Sequence, residues 1–175
     1  VGNGAKLANV TLQNNAATGN GGAIYLAGGG IRIDGTVTNS YGVTVTGNSA
    51  VNGGAIYLAG GTQFYMMLGA DASDINGNTA TDGGVFYNNG GTITIEAVPS
   101  ETGRYLKENT ATGKGGVFYN AAGTLNVGYI AMTENSAADG SVFYMAGGTA
   151  WVLASTMALN TGAGFTVTIA GGAFN

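Results

Sequence analysis

The chain has no cysteine and no histidine, a single proline and a single tryptophan, and only nine acidic and five basic residues among 175. Each shortage closes off a class of protein. Without cysteine there are no disulfides and no thiolate metal sites, and without histidine the commonest general base and transition-metal ligand is gone. Charged residues make up 8% of the chain, where a typical domain has about 25%. There is little of the Ala-Leu-Glu-Lys mixture that builds helical repeats, so a helical solenoid is not expected. The basic residues Lys6, Arg32, Arg104, Lys107 and Lys114 are scattered, and the net charge is −4. Nucleic-acid binding needs clustered cations, so it is not expected. No apolar run approaches the roughly 18 residues of a membrane-spanning helix. The composition calls for no metal and no cofactor.

What the chain has instead is glycine, 34 residues of it, with 45% hydrophobic content. The glycine suits tight turns that need positive φ, and the apolar content argues against disorder. Above all, the chain repeats itself. An apolar-x-x-Asn element, a short polar turn and Gly-Gly-(Ala/Val)-(Ile/Phe)-Tyr recur throughout. The asparagines are Asn15, Asn48, Asn78, Asn109, Asn135 and Asn160, separated by 33, 30, 31, 26 and 25 residues. A period of this length marks a solenoid or array.

Superposed repeats divide each coil into three strands. The first is the segment ending in Tyr, the second carries alternating apolar pairs (Ile31/Ile33, Phe64/Met66, Ile93/Ile95, Leu125/Val127, Ala150/Val152), and the third contains Leu12, Val45, Ile75, Leu106, Met132 or Met157 three residues before its Asn. Period-2 alternation bounded by Gly and Asn is a strand pattern. The expectation is therefore an all-β, right-handed parallel β-helix of three strands per coil and about six coils of 25 to 33 residues. The hand follows from the bias of parallel crossovers. Six coils at about 4.8 Å each make a rod of roughly 29 Å. Residues 1–175 read as one domain. Both ends fall inside a repeat and look uncapped, so a segment of a longer solenoid, or a unit associating end to end, is expected.

Stacking turns each repeated residue into a column. The asparagines are expected to bond to one another and to turn backbone, as amide ladders do. On the first strand, Ile24, Ile56, Phe86, Phe118 and Phe143 are assigned to the interior. Tyr25, Tyr57, Tyr87, Tyr119 and Tyr144 then form an outward ladder over Ala23, Ala55, Val85, Val117 and Val142. Such a stripe is a candidate contact face, the alternative being that the rings pack under a loop or fill the core edge. Asn20, Asn52, Asp82, Lys114 and Asp139 form a further column in which neighbouring acid and base would pair at the surface. Glu108 and Glu134 would stack as like charges, either solvated beside Lys107 or bridged by a hard cation such as calcium. Longer connections near GTVTNSYG, LGADAS and EAVPSETG are polar, and serve either as binding loops or as spacers.

Two catalytic or surface-active alternatives are weakly supported. Polysaccharide cleavage needs acids and bases converging on one groove, and the nearest sets, Asp71 with Asp74 and Arg104 with Glu101, lie on different loops. Thr-x-Thr pairs suited to an ice-binding face occur at Thr36/Thr38, Thr44/Thr46, Thr92/Thr94 and Thr166/Thr168, but they fall in different strands.

The elements Gly21-Gly22-Ala23-Ile24 and Gly53-Gly54-Ala55-Ile56, with Gly-Gly-Val-Phe in the next two coils, resemble the repeats of the chlamydial polymorphic outer-membrane proteins and similar adhesin-like β-helix passengers. The second element of those repeats, aromatic-x-x-Asn, is present here with Leu12, Val45, Ile75, Leu106, Met132 or Met157 at the aromatic position. The resemblance extends over nearly the whole chain. It implies a secreted or surface-displayed β-helix involved in adhesion. The expected function is thus a non-catalytic extracellular structural or adhesive module, self-associating or binding a host-surface or glycan ligand, with carbohydrate binding or cleavage as the alternative.

Overall fold

The computed structural model of the protein describes residues 4–35, 42–69, 74–97 and 104–175. All regular structure in them is strand, and every strand pair is parallel. The strands form three sheets, of eleven, six and five strands. The chain is a parallel β-solenoid.

Each coil visits the sheets in the same order. Its first strand is the segment of the Tyr (Ile24–Leu26, Ile56–Leu58, Phe143–Met145, Val167–Ile169), and its second follows the glycine turn (Gly30–Asp34, Gln63–Leu68, Thr149–Leu153). In the two middle coils these merge into the single long strands Phe86–Ala97 and Phe118–Gly128, which fuse both columns into the largest sheet. The third strands, Thr11–Gln13, Thr44–Thr46, Asp74–Asn76, Tyr105–Lys107, Ala131–Thr133 and Thr156–Ala158, make the six-stranded sheet.

The five-stranded sheet was not expected. Its strands, Ser49–Asn52, Thr79–Asp82, Thr110–Lys114, Ser136–Asp139 and Thr161–Gly162, occupy the segment between Asn and Gly-Gly that reads as a turn. The column of register partners there is Ala50, Ala80, Ala111, Ala137 and Gly162, of which Ala80, Ala111 and Ala137 are buried. This corner of the coil has room for a methyl group only, so the segment lacks the large alternating apolar residues by which strands are recognised. The coil count also differs slightly from six: five coils have a strand in every position, with a partial coil at each end.

The core is a set of columns. Phe64, Phe86, Phe118 and Phe143 are among the largest fully buried side chains. Phe86, Phe118 and Phe143 stack at 5.1 and 4.8 Å, close to the inter-strand step, and edge contacts with Phe64 and Phe174 close the stack at 5.6 and 5.3 Å. The second-strand pairs lie in register as expected, Phe64 on Ile93 and Ile31, Leu125 on Ile93 and Ala150.

One expectation is corrected here. Ala55, Val85, Val117 and Val142 do not floor the tyrosines on the outer face; they are fully buried members of the core cluster. The backbone explains it. The Val85 carbonyl accepts from both Ala55 N (3.1 Å) and Ile56 N (2.9 Å), and Val117 and Val142 accept in the same doubled way from the coil before. One carbonyl serving two successive N–H groups breaks the pleat, so strict alternation starts only at the Ile or Phe.

The residue before each ladder asparagine is left-handed: Asn14, Gly47, Gly77, Glu108, Glu134 and Leu159 have φ of 55°, 63°, 60°, 56°, 58° and 58°. Glycine and asparagine take this conformation cheaply, whereas a glutamate or leucine costs roughly 1–2 kcal/mol. Leu159 is also exposed. Leu159→Gly is therefore expected to stabilise the protein by about 1 kcal/mol, measured as a higher denaturation midpoint, although it deletes an entire side chain.

Candidate functional site

The outward side of the first strand carries the tyrosine column. Register places Tyr57 between Tyr25 and Tyr87, and Tyr119 between Tyr87 and Tyr144. The rings are stacked along the axis at 5.2, 5.3, 4.6 and 5.3 Å, with interplanar angles of 15° or less. The column ends where Thr168 takes the sixth rung beside Tyr144.

Stacking hides much of each ring. Tyr25, at the open end, is 55% exposed, whereas Tyr57 and Tyr144 are only 8% exposed; Tyr87 and Tyr119 are half-buried. Polar neighbours complete the cover. Asn89 Nδ2 donates to the Tyr57 hydroxyl at 3.1 Å, and the Lys114 ammonium lies 4.5 Å from the centre of the Tyr144 ring. Burial, with neighbouring tyrosines and Asp82, pushes the Tyr87 hydroxyl up to about 12; burial also raises Tyr119. These phenols stay neutral far above physiological pH and keep their hydroxyl protons for donation.

The polar column next to the tyrosines is arranged differently from the row of ion pairs expected. Asn52 Nδ2 donates to Asn20 Oδ1 at 2.9 Å. Asp82 Oδ1 accepts from the backbone N–H of Lys114 at 2.9 Å, leaving the lysine side chain to reach the Tyr144 ring. Asp139 Oδ1 accepts from Gly140 N and from the Thr168 hydroxyl. Among the described residues the ion pairs are Lys6–Asp34, Arg32–Asp34 and Lys107–Glu108. Backbone N–H groups at the turn compete for the acids, and a local donor wins over a mobile ammonium.

The asparagine ladder runs along the turn between the six-stranded and five-stranded sheets. Asn48 Oδ1 accepts from Asn15 N and Nδ2 at 3.0 and 2.9 Å, and the same double contact joins Asn48 to Asn78, Asn78 to Asn109, Asn109 to Asn135 and Asn135 to Asn160 at 2.9–3.0 Å. The second amide hydrogen is used too: Asn48, Asn78, Asn109, Asn135 and Asn160 each donate to the carbonyl of the apolar residue one coil back, Leu12, Val45, Ile75, Leu106 and Met132 respectively. Asn48, Asn78, Asn109 and Asn135 are wholly buried, so the ladder satisfies groups that water cannot reach.

A second, shorter ladder escaped the sequence reading. Asn88 and Asn120 stand where other coils have Leu26, Leu58 or Met145. Asn88 Nδ2 donates to Asn120 Oδ1 at 2.8 Å, and Gly91 N donates to Asn88 Oδ1 at 2.8 Å. These bonds occupy the turn between first and second strands in the two coils where the strands merge.

Of the residues considered for polysaccharide cleavage, Arg104 and Asp74 lie among the described residues. Arg104 is buried, with Nε donating to the Gly69 carbonyl at 3.0 Å. Asp74 accepts from Asn76 Nδ2 at 2.7 Å. Asp71 and Glu101 lie outside the described residues, as do Thr36, Thr38 and most of the three longer connections. Among the described residues, no three acidic side chains approach one another as metal ligands would, and no helix is long and apolar enough to cross a membrane.

The repeat model described as the Chlamydia polymorphic membrane protein repeat matches residues 9–27 and 42–59. Those are the two stretches from the third strand to the Gly-Gly-Ala-Ile-Tyr segment, so the resemblance carried by that motif is borne out where the motif is spelled in full. No curated protein and no solved structure matches the chain.

Proposed function

We propose that the chain is a non-catalytic, surface-displayed β-solenoid module of adhesin type, which meets its partner through the lateral face marked by the tyrosine column. Two observations support the class: the parallel β-solenoid fold, and repeats that match those of an outer-membrane protein family. The single observation that carries the contact face is the continuous five-ring stack at inter-strand spacing. Aromatic surface of this kind is enriched in protein interfaces, and a stack held by the coils loses little side-chain entropy on binding. The partner is either a second copy of the chain, packed laterally or end to end, or a host-surface component, and the setting is extracellular or cell-surface.

The test replaces the three rings that retain exposure, Tyr25→Ala, Tyr87→Ala and Tyr119→Ala, together. Circular dichroism and thermal unfolding establish that the variant is folded. Light scattering and binding to host cells are then expected to show weakened association. A folded variant that associates and adheres like the parent would overturn the reading.

A further inference from the structure

A second lateral feature lies on the outer side of the second strands, away from the tyrosines. The residues stacked there in one column are Ala8, Asp34, Met67, Glu96, Gly128 and Leu153. Every coil fills this position except the one with Gly128. The result is an open notch of about 250 Å³ lined by Glu96, Asn126, Val127, Gly128, Tyr129, Trp151 and Leu153.

Backbone geometry does not require that glycine. Gly128 sits in ordinary strand conformation at the end of Phe118–Gly128, and a Cβ placed on it would come no closer than 4.0 Å to another atom, the Leu153 carbonyl. The next residue does need conformational freedom: Tyr129 is left-handed, with φ of 61°. A bulky aromatic there is strained. Glycine and tyrosine thus stand in the reverse of the order the backbone would choose. The arrangement costs stability and sets an aromatic wall beside a floor, Gly128, that has no side chain and is itself buried at the bottom of the notch, the pattern of strain kept at functional sites.

The walls say what fits. Trp151 and Leu153 are 56% and 60% exposed, and Tyr129 is exposed with them, giving apolar and aromatic surface along the notch. Two polar groups with unused capacity line the same notch. Asn126 Nδ2 donates to Thr94 Oγ1 at 3.2 Å, which leaves its carbonyl oxygen to accept. Glu96 Oε2 accepts from the Tyr65 hydroxyl at 3.3 Å, which leaves the second carboxylate oxygen. Apolar planes with a few fixed acceptors suit a ligand with an apolar C–H face and a rim of hydroxyl donors. The volume lies just below the roughly 300 Å³ at which pockets for drug-sized ligands begin, so it admits one ring. The carboxylate disfavours an anionic ligand.

We infer that the notch over Gly128 is a saccharide subsite that takes a single uncharged pyranose ring, stacked on Trp151 and hydrogen-bonded by Glu96 and Asn126. It deepens the adhesive reading by naming a glycan as ligand, and it uses residues distinct from the tyrosine column.

Trp151 is the only tryptophan in the chain, so its fluorescence reports this site alone. The methyl glycosides of glucose, galactose and N-acetylglucosamine, with glucuronic acid as the charged control, are titrated into the intact protein. At least one neutral glycoside is expected to shift the emission with a Kd on the order of millimolar, as about a dozen non-hydrogen atoms give at ordinary ligand efficiency. Glucuronic acid is expected to bind more weakly. Gly128→Val fills the notch and favours the strand, so it should keep or raise the melting temperature while weakening binding at least about tenfold. Saturation-transfer NMR on the sugar should lose its signal in Trp151→Ala. No response to any neutral glycoside at tens of millimolar, equal binding by Gly128→Val, or preference for glucuronic acid would each overturn the assignment. None of these results bears on association through the tyrosines.

Discussion

Asn78→Leu is expected to lower the melting temperature by about 10 °C, although leucine has the same number of side-chain heavy atoms and the same branching as asparagine. Asn78 is wholly buried and bonds to four neighbours. Its Oδ1 accepts from Asn48 N and Nδ2, and its amide donates to the Val45 and Asn76 carbonyls and to Asn109 Oδ1. Leucine leaves two Asn48 donors without an acceptor in a dry interior, at about 1–3 kcal/mol each. A total of roughly 3–5 kcal/mol corresponds to roughly 6–20 °C for a chain of this size. The same change at Asn15 should cost much less. Asn15 is exposed and only donates to the ladder, and water can replace what it loses. Equal losses at Asn15 and Asn78, in paired calorimetric scans, would mean that the ladder does not hold the coils.

Gly84→Ala should be as damaging, for a different reason. A Cβ there would lie 2.1 Å from the Gly116 carbonyl oxygen, which is backbone and cannot rotate away. The same contact recurs between Gly22 and Gly54, Gly54 and Gly84, and Gly116 and Ser141, at 2.1–2.2 Å. Glycine is needed because successive coils touch there, with Gly84 N donating to the Gly115 carbonyl at 2.9 Å. Adding a methyl forces two coils apart, and about 3 kcal/mol, the upper range for overpacking, is the expected loss. Gly28→Ala is the matching control. Nothing lies within 4 Å of its added methyl and its φ is not left-handed, so its denaturation midpoint should stay within about 0.5 kcal/mol of the parent. A Gly84→Ala protein as stable as Gly28→Ala would place the coils further apart than described.

The repeat made much of this legible in advance. A column is visible in sequence whenever the same side chain returns at each coil, so the asparagine ladder, the phenylalanine stack, the second-strand pairs and the tyrosine register could all be read from spacing. What stayed hidden is what does not repeat as a side chain. The five-stranded sheet buries only Ala80, Ala111 and Ala137, and a column of methyl groups has no hydrophobic alternation to detect. The left-handed position before each ladder Asn is filled by Asn, Gly, Glu or Leu, so a shared backbone state has no shared residue. Alternation was extended one residue too far at Ala55, Val85, Val117 and Val142, because a carbonyl accepting two bonds is a backbone event. The notch over Gly128 was hidden for the opposite reason: it is a departure from the column in one coil, and its walls come from three different coils. Its one visible sign was Trp151 alternating outward between Ala150 and Val152.

The central claim is that equivalent residues of successive coils lie one inter-strand step apart. Thr79, Thr110 and Ser136 are register partners in the outward face of the five-stranded sheet, and the Ser136 hydroxyl donates to that of Thr110 at 3.2 Å. The chain has no cysteine, so paired cysteines can be introduced without background. A short bifunctional thiol reagent that fluoresces only when both arms have reacted measures their proximity. Thr79→Cys with Thr110→Cys, and Thr110→Cys with Ser136→Cys, are about 4.8 Å apart and should cross-link rapidly. Thr79→Cys with Ser136→Cys, two steps or about 9.6 Å apart, should not. Equal labelling of all three pairs, or none by the adjacent ones, would contradict the stacking of the coils.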